Sequence, residues 1–173
     1  MSSTVIYAFD REGNACKEIG IRNAWRGAMS VWDIMESRHL PPYYMQGIKL
    51  RRVICGAAAA NEVWALADNK EIPEHERIVM LTTMDKCLVK KENLPKVIEA
   101  FRKFDGITSL PEQADILEKL LADDNCIAVG WNQTSVSSSF WFKYNEETGK
   151  ITPYNCLTMN DHFWLFDDLN EEG

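Results

Sequence analysis

Half of the eighteen aromatic residues in this 173-residue chain lie within residues 131–166, in its last quarter. Large aromatic side chains dominate the energetics of protein cores. Because this segment alternates short apolar runs with turn residues, it predicts core-forming strands rather than a tail. Asn145 and Gly149 indicate the turn of a hairpin that joins a strand at 140–144 to one at 151–157. We therefore expect an aromatic-rich C-terminal hairpin.

The rest of the chain predicts a mixture of helices and strands. Apolar residues three and four apart indicate four helices: from Ile21 to the prolines at 41–42, over 57–68, from Asn93 to Phe104, and from Ser109 to Ala122. Apolar, β-rich runs predict strands at Val5 to Phe9, Gly47 to Cys55, Ile78 to Thr83, Cys87 to Lys90, Cys126 to Trp131 and Phe163 to Phe166. The run at 78–83 also fits the end of a helix that begins at Pro73, and the last run also fits a helical turn.

The order of these elements is mixed rather than strictly alternating, which favours an α+β fold. We predict a single compact domain over residues 1–173, with a mixed, mainly antiparallel sheet and about four helices packed on it. The length and the 46% apolar content are enough for one sizeable core. No apolar run approaches the ~18 residues of a membrane helix, and residues 1–9 lack the pattern of a secretory signal. We expect a cytoplasmic protein with no membrane partner.

Five cysteines stand at wide, irregular intervals, which suits neither a disulfide framework nor a zinc site. Cys55, Cys87 and Cys126 lie among apolar residues and are predicted to be small core side chains. The three histidines are far apart in sequence: His39, His75 and His162. Zinc sites usually contain at least one close ligand pair. We predict no metal site and no cofactor.

The net charge of −7 is unevenly distributed. Residues 1–56 carry eight Lys and Arg against five Asp and Glu, net +3, while residues 57–173 carry eleven against twenty-one, net −10. An acidic surface repels nucleic acid, so we do not expect nucleic acid as a partner, and it steers basic proteins toward the chain. The simpler alternative is that the acidic charge only keeps the protein dispersed.

A polar segment between two tryptophans is the best candidate for a recognition surface. Residues 132–139 are amides and hydroxyls with a single valine, placed between Trp131 and Trp141. Rigid indoles beside adaptable hydrogen-bonding groups are typical of binding loops. The alternative is an ordinary connection between two strands. With the acidic end of the chain, the predicted partner-binding residues are Trp131, Asn132, Gln133, Thr134, Trp141, Asp167 and Asp168.

The enzymatic alternative depends on a Cys–His pair, in which an imidazolium activates a thiolate. The candidates are Cys156 with His162, oriented by Asp161, or Cys87 with any histidine. No local signature selects one pairing, so we predict no catalytic residue. The favoured hypothesis is a macromolecule-binding protein, such as a small inhibitor or immunity protein acting on a basic protein. A cysteine-dependent hydrolase or transferase and a homodimeric structural or regulatory module are the alternatives.

Overall fold

The computed structural model describes residues 4–21, 27–133 and 140–167, and its α+β architecture confirms the predicted fold class. The described helices are α1 (Gly27–His39), α2 (Ala57–Trp64), α3 (Glu74–Thr82), α4 (Leu94–Lys103) and α5 (Leu110–Leu121). The strands are β1 (Val5–Phe9), β2 (Ala15–Gly20), β3 (Tyr43–Met45), β4 (Ile48–Leu50), β5 (Cys87–Lys90), β6 (Ala128–Asn132), β7 (Phe142–Tyr144), β8 (Ile151–Pro153) and β9 (Phe163–Trp164).

Five strands form one sheet in the order β2-β1-β6-β5-β9. β1 pairs antiparallel with β2 and β6, and β6 pairs antiparallel with β5. β9 runs parallel to β5 at the sheet edge. The mixed, mainly antiparallel sheet is therefore confirmed. Two further hairpins, β3–β4 and β7–β8, lie outside it, and the second is the predicted C-terminal hairpin.

The sheet is the middle layer of the molecule, because successive residues of a strand point to opposite faces. On one face, Ile6 and Val129 pack into a cluster to which all five described helices contribute. On the other face, Tyr7 and Leu88 pack against the segment 140–164, which we call the C-terminal layer. The crowding of aromatic residues near the end of the chain thus supplies one complete layer of core.

Gly130 allows the C-terminal layer to approach the sheet closely. A Cβ atom added at Gly130 would lie 2.7 Å from Leu88 Cδ2 and 3.0 Å from two ring atoms of Trp141. A separation of 2.7 Å is too short for two carbon atoms, so a larger residue would displace the Leu88 side chain and press on the indole. The glycine in the middle of β6 therefore leaves room for Trp141 on the sheet.

The prediction of a strand at Ile78 to Thr83 is wrong, since residues 78–82 belong to α3 and Thr83 is its C-cap. The run is continuously apolar because α3 lies between α1 and α4 and buries Ile78, Val79 and Met80 together. A helix enclosed on several sides loses the periodicity that distinguishes it from a buried strand. The structure supports the alternative of a helix that begins at Pro73, and the described residues contain five α-helices rather than about four.

The prediction of one strand from Gly47 to Cys55 is also wrong. The chain forms the short β4, then a 3-10 turn at Arg52–Ile54, and β4 pairs with β3 rather than with the main sheet. Gln46 and Gly47 both have positive φ, as a tight two-residue hairpin turn requires. Among the described residues, no helix is long and apolar enough to cross a membrane.

Candidate functional site

The two tryptophans predicted to frame a binding loop are core side chains. Trp131 and Trp141 are both buried, on opposite faces of the sheet. Trp141 Nε1 donates to the carbonyl oxygen of Trp131 at 2.9 Å, and Trp131 Nε1 donates to Gln113 Oε1 at 3.0 Å. Both indole rings are therefore packed in the core, and both N–H groups donate to acceptors within the protein. Neither indole is exposed to a partner.

The amides that follow Trp131 are also largely internal. Gln133 is buried, and its Nε2 donates to the carbonyl oxygen of Thr82 at 2.9 Å. Asn132 is half-buried at the end of β6. The hydrogen bond from Gln133 joins the chain just after β6 to α3, so this end of the predicted loop contributes to the fold.

Of the two acidic residues predicted to bind a partner near the end of the chain, the structure describes Asp167. Asp167 is exposed, and its Oδ2 lies 3.6 Å from Nζ of Lys90, whose ammonium also lies 5.3 Å from the ring centre of Trp164. An exposed ion pair of this kind contributes little to stability. Thr134 and Asp168 lie outside the described residues.

The C-terminal layer is built on a chain of aromatic contacts. The ring of Trp141 lies 4.8 Å from that of Phe140 and 5.2 Å from that of Tyr154, both edge-on. Tyr154 continues the chain to His162, and His162 to Trp164, at 5.6 and 4.9 Å between ring centres. Edge-to-face pairs add to the stabilisation from burial. The layer is therefore a rigid base for whatever lies on its outer surface.

Tyr154 and His162 form a hydrogen-bonded pair within this layer. Tyr154 Oη accepts the backbone N–H of Asp161 at 3.0 Å and lies 2.6 Å from His162 Nδ1. A buried phenol needs an acceptor for its own proton, and Nδ1 fills that role when the imidazole is neutral. Burial lowers the pKa of His162 and raises the pKa of Tyr154, so both groups remain uncharged near neutral pH.

The outer surface of the C-terminal layer exposes large apolar side chains among charged residues of both signs, including Lys143 and Lys150. Tyr144 and Ile151 are cross-strand neighbours of the β7–β8 hairpin, and each exposes 65% of its surface. Glu146 and Glu147 occupy the turn between them in sequence and are exposed. Leu157, further along the same segment, is exposed too. This is the best candidate for a functional surface in the C-terminal region.

The three buried cysteines, Cys87, Cys126 and Cys156, are not activated thiols. Cys87 and Cys126 are buried, as predicted, whereas Cys55 is half-buried and lies next to a 3-10 turn rather than in the core. Burial raises the pKa of the Cys156 thiol to about 11 and also raises the pKa of Cys87 and Cys126. A nucleophilic cysteine needs a shift in the opposite direction. These thiols are protonated at neutral pH, and they give the cysteine-enzyme alternative no support.

One deeply buried carboxylate, that of Glu76 on α3, is accounted for by its partners within the protein. Its two oxygens lie 2.7 Å from Nη1 of Arg38 and 2.7 Å from Nε2 of His39, both on α1. Arg38 also donates to the carbonyl oxygen of Asp105, between α4 and α5. Buried charges are stable only when they are paired in this way. The cluster ties α1, α3 and the connection between α4 and α5 together, and both carboxylate oxygens of Glu76 have partners within the protein.

The other parts of the described chain contain weaker candidates for a functional site. No group of three or more His, Cys, Asp and Glu residues in 4–21, 27–133 and 140–167 is arranged to hold a metal ion. A cleft of about 330 Å³ lies between α3 and α4, lined by side chains of both signs, including His75, Lys96 and Glu99. This mixture selects no single class of ligand.

Sequence reasoning missed Tyr144 and Ile151 because it assigned both to a core-forming hairpin. The strand pattern carries no signal for their exposure, because alternation puts Tyr144 and Ile151 on the same face as Phe142, which packs on Tyr7, and puts the polar Lys143 and Thr152 on the other face. Comparison of the chain with protein-family models, with curated proteins and with solved structures gave no significant match.

Proposed function

We propose that this chain is a protein-binding module that engages a basic protein through the outer surface of its C-terminal layer, as a small inhibitor or immunity protein does. The observation that carries the proposal is the exposed cross-strand pair Tyr144 and Ile151 beside Glu146 and Glu147. Interface centres combine an aromatic or aliphatic anchor with a polar rim. The predicted surface in the C-terminal region is kept, but its anchors move from the buried tryptophans to these two residues.

The rigidity of the layer beneath the surface supports this proposal. Binding costs free energy when side chains and loops have to be ordered. Here Phe142, next to the exposed pair, lies 5.6 Å from the ring of Tyr7 on the sheet, and Tyr154 N donates to the carbonyl oxygen of Trp141 at 2.8 Å. The hairpin is therefore held on the core before any partner arrives.

The charge of the C-terminal two-thirds of the chain favours a basic partner. The β7–β8 hairpin itself carries Lys143 and Lys150 beside Glu146 and Glu147, whereas residues 57–173 together carry a net charge of −10. A field of this sign accelerates encounter with a positively charged protein. It also disfavours nucleic acid, whose phosphates carry the same sign.

The test is a comparative capture experiment followed by kinetics. Immobilised wild-type protein is exposed to an extract of the native host beside two variants, Tyr144→Ser/Ile151→Ser and the control Ile107→Ser. Ile107, between α4 and α5, is 87% exposed and lies outside the C-terminal layer. We expect a basic protein to be retained by wild type and control. The double variant should bind it on the order of 30-fold more weakly or worse, because truncating a hot-spot residue costs about 2 kcal/mol or more.

Charge and anchor residues should act on different rates. Glu146→Gln/Glu147→Gln should slow association at low salt and leave it unchanged at high salt, since rim charges steer encounter. Tyr144→Ser/Ile151→Ser should instead raise the dissociation rate at both salt concentrations. A partner that the double variant retains as well as wild type does, or one with an acidic surface, would refute the proposal.

A further inference from the structure

The C-terminal segment follows the outer edge of β2 for a few residues and then leaves it. Ala15 N donates to the carbonyl oxygen of Tyr154 at 2.9 Å, and Cys156 N donates to that of Gly13 at 2.8 Å. An antiparallel bridge lies between these two bonds. The start of β2 therefore already accepts an extended segment on the side away from β1.

The rest of β2 is open on that side. Among the described residues, β2 lies at one end of the sheet, and no strand pairs with it opposite β1. Ile21 N donates to the carbonyl oxygen of Thr4, so the alternation of an antiparallel ladder directs the backbone N–H and C=O groups of Glu18 and Gly20 away from β1. An unpaired row of such groups is a template for another strand.

The exposed pair Tyr144 and Ile151 lies beside this open stretch. Extending the antiparallel register of the contact with β2 back along β8 brings Ile151 level with Glu18. Both members of the pair are on the same face of the hairpin as Phe142, whose ring lies 5.6 Å from that of Tyr7. The pair extends past the part of the sheet that Phe142 covers, and each member remains 65% exposed.

The face of β2 that is turned toward the C-terminal layer leaves space beside this pair. Glu18 is opposite Tyr7, and Gly20 is two residues further on the same face. Among the described residues, none has a heavy atom within 4 Å of a Cβ atom added at Gly20. The open edge of β2 and the exposed pair therefore border one accessible region.

We propose that the partner contributes an extended segment, which pairs with the open edge of β2 and packs apolar side chains against Tyr144 and Ile151. This inference rests on the proposed function, because it uses the same exposed pair. Strand addition takes its affinity from main-chain hydrogen bonds and its specificity from alternate side chains. The segment therefore carries apolar residues at alternate positions on the face that meets the pair.

The charges of β2 favour a basic segment from another protein over a second copy of this chain. Antiparallel pairing of β2 with itself about its middle would place two Lys17 or two Glu18 side chains opposite each other, which is unfavourable. Glu18 instead favours a lysine or arginine opposite it. Such a segment agrees with the basic partner that the net charge of −7 favours.

The probe for this proposal is the end-blocked peptide Thr-Val-Thr-Lys-Thr-Val-Thr, which places two valines and one lysine on one face of a strand. Titration followed by chemical shifts should give a dissociation constant of about 1 mM or tighter. The shifts should map to residues 16–20, Tyr144 and Ile151. The matched control peptide, with glutamate in place of lysine, should bind about three- to tenfold more weakly, because its carboxylate would lie opposite Glu18.

Two variants of Gly20 test the role of the backbone edge. Gly20→Pro removes the outward N–H and places a ring on the edge, so it should weaken binding of the lysine peptide at least about tenfold. Gly20→Ala is the matched control, since it keeps the N–H and its methyl group enters open space. It should bind within about threefold of wild type.

Hydrogen exchange of the unaltered protein keeps the test decisive if Gly20→Pro does not fold. The amides of Glu18 and Gly20 should exchange rapidly in the free protein and become protected when the lysine peptide is added. Protection of these two amides reports pairing along the edge, which side-chain contact with Tyr144 and Ile151 alone would not produce.

Several results would overturn the proposal. They are the absence of any shift with about 2 mM lysine peptide, binding without protection of Glu18 and Gly20, normal binding by a folded Gly20→Pro variant, and equal binding of the glutamate peptide. Each leaves the proposed function standing if the basic protein captured from the host still depends on Tyr144 and Ile151. If Tyr144→Ser/Ile151→Ser retains that protein, the proposed function fails whatever the peptide does.

Discussion

Replacing Trp141 by alanine should destabilise the protein severely. The indole is fully buried, makes ring contacts with Phe9, Phe140 and Tyr154, and donates one hydrogen bond. Truncating a large aromatic side chain in a core costs about 3–5 kcal/mol. Loss of the hydrogen bond to the buried carbonyl of Trp131 adds about 1 kcal/mol. We therefore expect a loss of roughly 4–6 kcal/mol, a large part of the 5–15 kcal/mol that typically stabilises a domain.

Two further variants separate the contributions. Trp141→Phe keeps a ring on the sheet but loses the N–H donor and some volume, and we expect an intermediate loss of about 1–3 kcal/mol. Tyr144→Ala lies three residues away on an exposed position, and the expected change is within about 0.5 kcal/mol.

The assay is urea unfolding followed by far-ultraviolet circular dichroism, with the midpoint and the slope fitted separately. Circular dichroism is the better probe because the substitution removes one of the fluorescent tryptophans. A Trp141→Ala variant that unfolds within about 1 kcal/mol of wild type, with an unchanged slope, would show that the indole is not a core residue. The alternative of a surface anchor for a partner would then regain its support.

Three further predictions concern single groups. Gly130→Ala should cost at least about 1–3 kcal/mol in the same urea assay, because the added methyl group has no room between two core side chains. His162 has a lowered pKa in the folded state, so its contribution is complete above its unfolded pKa of about 6.5 and is lost as pH falls below that value. The free energy of unfolding should therefore fall between pH 7 and pH 5.5, and His162→Gln, which keeps an amide near Tyr154 but does not titrate, should flatten that dependence. In thiol labelling of the native protein, the exposed Cys16 should react first and Cys87 only after unfolding.

The sequence predicts the central part of this fold because its signals there are local. β1, β5 and β6 are apolar runs bounded by turn residues, and the β7–β8 hairpin is marked by Asn145 and Gly149. α4 and α5 show the apolar spacing of helices with one buried face. In such segments the pattern of apolar residues in the sequence matches the burial of those residues in the fold. The sequence alone therefore shows whether the segment is a helix or a strand.

The errors arise where the environment is decided by distant residues. α3 lost its periodicity because other helices enclose it, as Ile78 to Met80 show. Trp141 lies inward because Gly130, eleven residues earlier, leaves space on the sheet. The sequence predicts one strand from Gly47 to Cys55 because nothing local shows that β4 pairs with β3 rather than with the sheet. The candidate surfaces could not be located before those placements were known.

β6 lies at the centre of the sheet, and so the sheet is completed late. β1 pairs early with β2, which follows it closely, but its other edge pairs with β6, where Val5 is opposite Asn132. Contacts so far apart in sequence form slowly, because a long loop has to close before they contribute. During synthesis the free edge of β1 and its apolar side chains are open to pairing with other chains. We expect the yield of soluble protein to depend on chaperones and temperature more strongly than native stability alone would suggest.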